Sequence, residues 1–413
     1  MTFLNKLKPG LFALLSSAAI LVSCNKDPEL FIEPDPVPPT GTTIAQQLAD
    51  NPNDSLYRRL VIHSGLMPLL SGGNNNSYTL FAVDNNAMKV SINALSGGLI
   101  PINAPDAVFS DFITTRVSQD SAAMVVAYNI LPQAATTATF GTAFPNYSYP
   151  TMLNPAPTLS EFVRLDLYPS ARNGNWVNNV PLVAVDQAAS NGIIHHSAVL
   201  LSPSGRFLWD RIDTDPQLTY LKAAVLRADS ATVTATTPGT LQGYLMNIGA
   251  NFTVFAPTDA AFQALLTGAI TQGLIGMGVD PATAAAQAAA LASTPAVFQN
   301  PALFSVLTSQ TVAAIVAYHV LDSRAFTNNF PTTPGYFKTL LNGSLPAAHP
   351  GVELKVTMGA PFPTAATVKG LGNATAANVQ MNAVPMLPDP FGSSDQNYLN
   401  GVLHKIDQVL RPQ

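Results

Sequence analysis

The sequence predicts two tandem copies of one domain that mixes helices and strands. Three short phrases occur twice, in the same order, and the separation between the copies grows along the chain. The phrases are Tyr78-Thr-Leu-Phe-Ala-Val-Asp-Asn-Asn-Ala-Met88 with Phe252-Thr-Val-Phe-Ala-Pro-Thr-Asp-Ala-Ala-Phe262, Val126-Ala-Tyr-Asn-Ile-Leu131 with Val316-Ala-Tyr-His-Val-Leu321, and Asn191-Gly-Ile-Ile-His-His-Ser-Ala-Val-Leu-Leu201 with Asn400-Gly-Val-Leu-His-Lys-Ile-Asp-Gln-Val-Leu410. The growing separation indicates insertions in the second copy, and two long copies do not suggest a solenoid.

The first phrase predicts a buried strand followed by a helix. In the second copy, Phe252 and Val254 alternate with their neighbours as in a buried strand. Either Thr258 or Asp259 is placed to cap a helix over 260–266. We therefore expect a structural role for Asp259.

The second phrase predicts the end of a helix and the start of a strand. Ser121 is expected to cap a helix over 122–128, and Thr311 a helix over 312–318. Tyr318 and His319 then fall at the junction between helix and strand. Core packing is the favoured role of this pair, because Tyr buries a large ring and His satisfies a neighbouring polar group.

The third phrase predicts a turn and a closing strand. Gly192 and Gly401 permit the turn, and the apolar residues that follow alternate as in a strand. His195 and His404 are expected to be hydrogen-bonded structural histidines. Although His196 follows His195, neighbouring residues of a strand point to opposite faces, so this pair does not predict a metal site.

Together, the phrases resemble the fasciclin domain family. The resemblance lies in Thr253-Val-Phe-Ala-Pro-Thr-Asp259 with Phe262, in Tyr318-His319, and in Asn400-Gly-Val-Leu-His404 with Ile406-Asp407. It covers roughly 43–413 apart from the insertions. The first copy departs from the pattern at Val83, Asn85 and Asn129, and is interpreted as a diverged fasciclin domain.

The resemblance implies an α+β fold, in which each domain is a β-wedge or sandwich flanked by helices, and a role in adhesion or matrix binding. In that family the Tyr-His pair has been associated with partner binding, which makes Tyr318 and His319 contact candidates. The remaining motif residues are expected to be structural; they are Phe255, Pro257, Thr258, Asp259, Gly401, His404, Asp407, Gly192 and His195.

The start of the chain predicts a lipoprotein. Lys6 and Lys8 precede a short apolar run that ends in Leu-Val-Ser-Cys24, which looks like a bacterial lipoprotein signal. An ordinary signal peptide with an incidental cysteine is the alternative. Cys24 is the only cysteine, so no intrachain disulfide can form. The acids that follow resemble export signals of some Gram-negative lipoproteins, which favours the outer membrane and its surface over the periplasmic face.

The expected organisation has five parts. They are a signal peptide over 1–23, lipidated Cys24 with a proline-rich stalk over 24–42, a diverged fasciclin-like domain over 43–203, a linker over 204–217 and a second fasciclin-like domain over 218–413. Phe207, Leu208 and Trp209 in the linker favour domains that pack together over domains that hinge freely.

Two insertions interrupt the second copy. The insertion over 267–300 contains Asp280-Pro281, a good start signal for the Ala-rich helix that follows. The insertion over 386–398 reads as a polar, turn-rich loop that could carry binding specificity. Asp389 and Asp395 fall in it, but no loop with calcium-ligand spacing supports a metal site.

The composition favours a folded, non-catalytic protein. Apolar residues make up 47% and charged residues 10%, the net charge is −5, and no Lys/Arg cluster supports nucleic-acid binding. No catalytic or cofactor motif occurs, so we expect neither an enzyme nor a cofactor. The leading hypothesis is a lipid-anchored envelope protein that binds an extracellular protein or glycan, in adhesion or ligand binding.

The alternative is a glycan-capture accessory lipoprotein of an outer-membrane uptake system. Sugars stack on aromatic faces, so this function would need exposed aromatic side chains. The candidates are Trp176, Tyr147, Tyr149, Phe391 and Tyr398. The sequence identifies neither the ligand nor the domain that binds it.

Overall fold

Each repeat is built around the strand of its first phrase. The computed structural model describes residues 41–72, 76–231, 239–383 and 392–413. Within them, Gly41–Gln413 form one compact unit that holds both repeats. The predicted signal peptide, Cys24 and the stalk up to residue 40 lie outside the described residues.

Repeat one covers residues 41–203. Its helices are α1 (Ile44–Asp50), α2 (Ser55–His63), α3 (Met67–Leu70), α4 (Asn85–Leu95), α5 (Asp106–Thr115) and α6 (Gln119–Tyr128). Its strands are β1 (Tyr78–Ala82), β2 (Ile130–Leu131), β3 (Tyr149–Pro150), β4 (Asp166–Leu167), β5 (Pro169–Ser170), β6 (Trp176–Val177), β7 (Val180–Ala189) and β8 (Gly192–Ser197).

Repeat two covers residues 204–413. Its helices are α7 (Leu208–Thr214), α8 (Thr219–Asp229), α9 (Leu241–Leu245), α10 (Asp259–Gly276), α11 (Pro281–Leu291) and α12 (Ser309–Tyr318). Its strands are β9 (Phe252–Pro257), β10 (Val320–Leu321), β11 (Gly335–Phe337), β12 (Val352–Met358), β13 (Pro363–Lys369), β14 (Ala377–Asn378), β15 (Gln396–Tyr398) and β16 (Gly401–Ile406). The protein is therefore α+β, as predicted.

The three phrases meet in one sheet in each repeat. In repeat one, β1 pairs in parallel with β8 and antiparallel with β2, and β9, β16 and β10 pair in the same way in repeat two. The register is also the same, because Tyr78 lies opposite Gly192 and Phe252 opposite Gly401. The repeated sequence therefore encodes a repeated topology.

Both faces of the central strands are buried. Leu80 packs into the helical core of repeat one, while the next residue, Phe81, packs into a second core on the opposite face of the sheet. Val254 and Phe255 divide in the same way in repeat two. Successive side chains of a strand point to opposite faces, which explains why these strands read as continuous apolar runs.

The repeats differ beyond this shared sheet. In repeat one the sheet continues through β7 and β6 to β5, whereas repeat two has a separate sheet in the order β11-β12-β13-β14. The insertion over 267–300 forms the end of α10 and all of α11. The start signal at Asp280 is confirmed, since its carboxylate accepts from the N–H groups of Ala282 and Thr283.

The predicted helix caps for the second phrase are three residues too late. Ser118 is the N-cap of α6, and its hydroxyl accepts from the N–H of Ser121 at 3.1 Å. Thr308 caps α12 and accepts from Thr311 at 3.0 Å. Ser121 and Thr311 therefore donate their N–H groups to the caps and are not caps themselves. The sequence was ambiguous because a hydroxyl residue stands at both positions in each helix.

The predicted linker over 204–217 contains α7, which is the first helix of repeat two. The Asn400 side chain accepts from the N–H of Leu208 at 3.0 Å, and Asn191 accepts from Ile44 at the start of α1 at 2.8 Å. Leu208 and Trp209 belong to the core of repeat two. These apolar residues therefore begin a domain and do not join two domains.

The predicted loop over 386–398 is also partly a strand. Gln396–Tyr398 form β15, which pairs with β16, while Asp389 and Phe391 lie outside the described residues. In the described part of the chain, no helix is both long and apolar enough to cross a membrane.

Candidate functional site

The Tyr-His pair of repeat two lies in the core. Tyr318 has no exposed surface. Its hydroxyl donates to the carbonyl of Gly351 at 2.7 Å and accepts from the N–H of Leu371 at 3.2 Å. The ring therefore ties α12 to the second sheet of repeat two, and it offers no atom to a partner at the surface.

His319 ends α12 and is equally buried. Its Nε2 accepts from the N–H of Leu410 at 2.8 Å, so Nδ1 carries the proton and donates to the carbonyl of Ile315 at 2.8 Å. Burial lowers the pKa of His319 to about 4, although the bond to Ile315 opposes this shift. The ring is therefore neutral at neutral pH, and both of its nitrogens are occupied.

Asn129 takes the position of His319 in repeat one. Its Nδ2 donates to the carbonyls of Val125 and Leu201, each at 2.8 Å, and its Oδ1 is buried with no partner among the described residues. Leu201 occupies the position of Leu410. Both repeats therefore tie the end of the helix to the same segment after the closing strand, but with opposite hydrogen-bond direction.

His404 is the centre of a buried hydrogen-bonded unit. Its Nε2 donates to the carbonyl of Ala325 at 2.9 Å, and its Nδ1 accepts from the N–H of Asp395 at 3.1 Å. The Asp395 carboxylate accepts from the N–H and the hydroxyl of Thr327, at 2.7 and 2.6 Å. Burial lowers the pKa of His404, although Asp395 raises it. The histidine is thus held neutral in one tautomer.

Repeat one contains the same unit. His195 bonds to the carbonyl of Ala135 at 2.9 Å and accepts from the N–H of Asp186 at 3.2 Å. The Asp186 carboxylate accepts from the N–H of Thr137 at 2.8 Å and from its hydroxyl. Burial also lowers the pKa of His195.

The sequence did not predict the role of the two aspartates of these units, since Asp186 was not singled out and Asp395 was weighed only as a metal ligand. Asp186 and Asp395 have left-handed backbones, with φ of 59° and 55°, a conformation that Asp and Asn adopt more easily than other non-glycine residues. The sequence signal was present, because Asp186-Gln187 and Asp395-Gln396 stand at the same distance before the two histidines. The third phrase therefore extends further toward the N-terminus than its obvious part.

Asp259 caps a different helix from the one predicted. Neither it nor Thr258 makes a side-chain cap at the start of α10; instead, the Asp259 carboxylate accepts from the N–H of Tyr220 at 3.0 Å and from the hydroxyl of Thr219 at 2.7 Å. These residues open α8. In repeat one, Asn85 accepts from the N–H of Leu56 at 2.9 Å, in the first turn of α2. The role is structural in both repeats and fixes helix to sheet.

The two phrase glycines are required by close strand approach. A Cβ at Gly192 would lie 2.0 Å from the carbonyl oxygen of Tyr78, and one at Gly401 would lie 2.4 Å from that of Phe252. Gly192 also has a φ of +152°. The glycines therefore set the start of parallel pairing in each repeat, in addition to permitting a turn.

The other motif residues pack or bond within repeat two. Phe255 stacks on His404, with ring centroids 5.8 Å apart, and Pro257 ends β9 opposite Ile406. The Asp407 carboxylate accepts from the backbone and side-chain nitrogens of Asn378, each at 2.7 Å. Phe255, Pro257 and Asp407 are thus part of the framework of repeat two.

A polar network joins the two repeats around Arg324, which is only 6% exposed. The Asn251 side-chain oxygen accepts from Arg324 Nε and from the hydroxyl of Tyr168 in repeat one, both at 2.9 Å. Asn397 accepts from Arg324 Nη1 at 2.7 Å and donates to the hydroxyl of Tyr128 in repeat one at 3.3 Å. The guanidinium also lies over the Tyr168 ring, 5.2 Å from its centre.

Further contacts extend this interface. Asn173 of repeat one donates to the carbonyls of Asn328 and Phe330, at 2.8 and 3.1 Å, and Asn328 donates back to the carbonyl of Asn178 at 3.1 Å. Aromatic pairs also cross the interface; they are Phe144 with Phe330 and Phe337, Trp176 with Phe362, and Tyr168 with Phe326. These contacts hold the repeats in one arrangement.

A small groove opens at this junction. Its lining combines one residue of repeat one with residues of repeat two. They are Asn179 from repeat one, and Thr327, Asn328, Phe362, Pro363, Met381, Asn382, Ser394 and Asp395 from repeat two. In the described residues, no group of three or more His, Cys, Asp or Glu side chains could hold a metal ion.

The aromatic residues named for glycan capture do not form an exposed platform. Trp176 and Tyr398 are 2% and 1% exposed, and the Trp176 ring packs between the repeats. Tyr149 is half-buried and donates to the carbonyl of Thr139. Among the described candidates, Tyr147 is the strongly exposed one.

Comparison with known proteins finds similarity among solved structures. No family model matches the chain, and no curated protein matches it. A solved structure of a FAS1 domain pair from the insect cell adhesion molecule fasciclin I is 13% identical, with a TM-score of 0.31 over 89% of this chain and 95% of that one. The tandem architecture is shown by the chain itself, whose two sheets share strand order and register.

Proposed function

We propose that this chain is a non-catalytic binding protein of the cell envelope, held by a lipid on Cys24, in which two repeats fixed against each other present a surface to an extracellular partner. The anchor rests on the Leu-Val-Ser-Cys24 sequence. The binding role is supported by the resemblance of the phrases to adhesion domains and by the geometry of the repeats.

The observation that carries the proposal is the interface around Arg324. The Tyr168 hydroxyl donates to Asn251 of the other repeat and Asn397 donates to the Tyr128 hydroxyl, so the relative position of the repeats is fixed. A surface that is already in place before binding loses little freedom when a partner docks, which favours affinity.

The state of the histidines supports a function without catalysis. A general acid or base needs a nitrogen that can exchange a proton with the substrate. His195, His319 and His404 are buried, and both nitrogens of each ring bond to backbone groups. They stabilise the fold and present no reactive atom.

Repeat one offers an exposed apolar surface for a protein partner. Leu159 and Phe162, in the segment between β3 and β4, leave 68% and 83% of their surfaces exposed. Large apolar side chains in such positions often mark interaction sites. With Tyr318 and His319 buried, this segment replaces them as the proposed contact.

Two experiments on cells that make the full chain test the proposal. Protease treatment of intact cells should remove the repeats, and Cys24→Ser should release the protein from the membrane fraction. Cross-linking on intact cells should then recover a partner in a saturable manner, and Phe162→Ser should weaken this recovery.

Tyr336→Ser is the matched control, because Tyr336 is 56% exposed on repeat two and lies outside the proposed contact. Equal recovery with Phe162→Ser and with the control would overturn the proposed surface. Absence of any saturable partner, or turnover of a bound molecule, would overturn the binding function.

A further inference from the structure

The junction groove has the size of a small cationic head group. Its volume is about 40 Å³, which is room for about three water molecules. The groove is open to solvent on one side. It therefore accommodates a small polar head whose stem extends out of the groove.

The electrostatics of the groove favour a positive charge. Asp395 is 8% exposed and lines the groove, and the closest histidine nitrogen to its carboxylate, His404 Nδ1 at 3.8 Å, is an unprotonated acceptor. Among the described lining residues none is lysine or arginine. Each carboxylate oxygen accepts one bond from Thr327, and a carboxylate has about four acceptor positions, so acceptor capacity remains.

A second acceptor in the lining lacks a partner. Asn328 is 1% exposed; its Nδ2 donates to the carbonyl of Asn178, but its Oδ1 has no hydrogen-bond partner among the described residues. A buried acceptor without a donor has lost its hydration and gained no bond in return. An N–H donor in the groove would satisfy it after a small movement of the side chain, because the oxygen itself is fully buried.

Part of the groove lining is apolar. Phe362, Pro363 and Met381 form this part of the lining, and Phe362 is held edge-on against Trp176 of repeat one. Methylene groups pack well against such a wall, and an aromatic face also attracts a cation. The carboxylate, the amide oxygen and the apolar part of the lining thus suit a ligand with a charged head and an aliphatic stem.

We propose that the junction groove binds a primary alkylammonium group, either of a free amine or of a lysine side chain on a partner. This inference rests on the proposed binding function and adds the class of ligand. The ammonium donates to the acceptors of Asp395 and Asn328, and the stem lies along Phe362 and Met381. Because Asn179 of repeat one also lines the groove, both repeats contribute to it.

The repeat supplies an internal control. Asp186 has the same left-handed backbone and the same threonine and histidine partners as Asp395, but its side chain is 36% exposed and lies outside the groove. Asp→Asn at either position keeps a residue that tolerates this backbone and still accepts from the threonine N–H. The two variants therefore differ mainly in the groove.

The test is a titration of the full chain carrying ¹³C-methyl-labelled methionine with n-butylammonium, read at the Met381 methyl group by NMR. We expect a saturable shift of Met381, no shift of the exposed Met277 methyl, and no effect of n-butanol. Asp395→Asn should weaken binding about tenfold or more, the value of a hydrogen bond to a charged group, while Asp186→Asn leaves it unchanged.

Nα-acetyl-lysine amide and putrescine distinguish the two sources of the ammonium group, since the better ligand identifies a lysine side chain or a free diamine. A Met381 shift that n-butanol reproduces, or that Asp395→Asn retains, would overturn the inference, and so would the absence of any shift. The n-butanol comparison needs only the wild-type chain, so it decides even if Asp395→Asn fails to fold. If amines fail to bind while cross-linking still recovers a partner, the inference fails and the binding function stands.

Discussion

The two repeats share the same structural contacts, but the side chains that make them are identical at some equivalent positions and different at others. At the end of the second-phrase helix, Asn129 stands in for His319, and at the first-turn cap Asn85 stands in for Asp259. The unit around the closing strand, in contrast, keeps aspartate, histidine and threonine in both repeats.

The difference shows what each position demands. A cap needs one acceptor aimed at a backbone N–H, which Asn and Asp supply equally well. The conserved unit must hold a left-handed aspartate, orient a histidine and link two segments at once. Positions with one task can change, whereas a residue with several simultaneous partners leaves little freedom.

The residue that follows the histidine of the closing strand also differs between the repeats. Repeat one pairs His196 with Asp54 at 3.1 Å, and repeat two pairs Lys405 with Asp215 at 2.6 Å. In both repeats, the residue that contacts the aspartate directly follows the histidine of the closing strand. The aspartate lies at a different position in the sequence of each repeat, but a contact between a nitrogen and a carboxylate is present in both.

Substitution of the phrase glycines should have the largest effect on this shared design. We expect Gly192→Ala to destabilise the protein by more than about 4 kcal/mol, because the new Cβ would overlap the Tyr78 carbonyl and the backbone has a φ unsuited to alanine. Gly401→Ala should cost somewhat less. Chemical unfolding measures both.

Gly268→Ala is the control for these variants. Gly268 lies inside α10 with open space around it, so alanine should stabilise by about 0.5–1 kcal/mol. A Gly192→Ala protein as stable as wild type would show that the strand approach is not obligatory.

The next largest effect is a pH dependence of stability that arises from His319 at the end of α12 in repeat two. Repeat one has Asn129 at the equivalent position and lacks this contribution. His319 has a folded pKa of about 4 against roughly 6.5 unfolded, so the unfolded chain binds more protons between these values. Stability should therefore fall as the pH drops from about 6.5 to 4, by about 3 kcal/mol for this residue.

His319→Asn, which copies repeat one, should flatten that dependence. The buried His404 and His195 have lowered pKa values and contribute in the same direction, so some slope remains. Unfolding free energies measured at several pH values test this expectation. An unchanged slope in His319→Asn would contradict the neutral, buried state of the ring.

The sequence allowed much of this comparison to be predicted. The phrases gave strand, helix and junction in both repeats, because apolar alternation and cap residues are local signals. The interface escaped, since Asn173 and Asn178 bond to residues about 150 positions away and have no counterpart in the phrases. The role of Leu208 and Trp209, which the sequence placed in a linker, also escaped, since they lie in the core of repeat two outside the phrases.

Replacement of Asp395 or Asp186 by alanine should destabilise the protein to different degrees, because Asp395 is the more deeply buried of the two. Asp395→Ala removes two bonds to Thr327 from a buried site, and we expect a loss of about 2–3 kcal/mol. Asp186→Ala should cost about 1 kcal/mol, because water replaces its bonds at a more exposed site. Thermal unfolding of both variants measures the difference, and equal losses would contradict it.

The smallest effect is expected at the interface. Tyr168→Phe removes one hydroxyl that bonds to Asn251 across the repeats, while the ring and its contact with Phe326 stay. We expect a loss of about 1 kcal/mol. Tyr147→Phe is the control, because Tyr147 is exposed away from these contacts and should change nothing measurable.

The most direct test of the fixed two-repeat unit is calorimetric unfolding of the full chain, with and without Arg324→Ala. The wild-type protein should unfold in one transition, because both repeats share the network around Arg324. Arg324→Ala leaves the side chains of Asn251 and Asn397 without their cation and should split unfolding into two transitions. Two independent transitions in the wild-type protein would contradict the account.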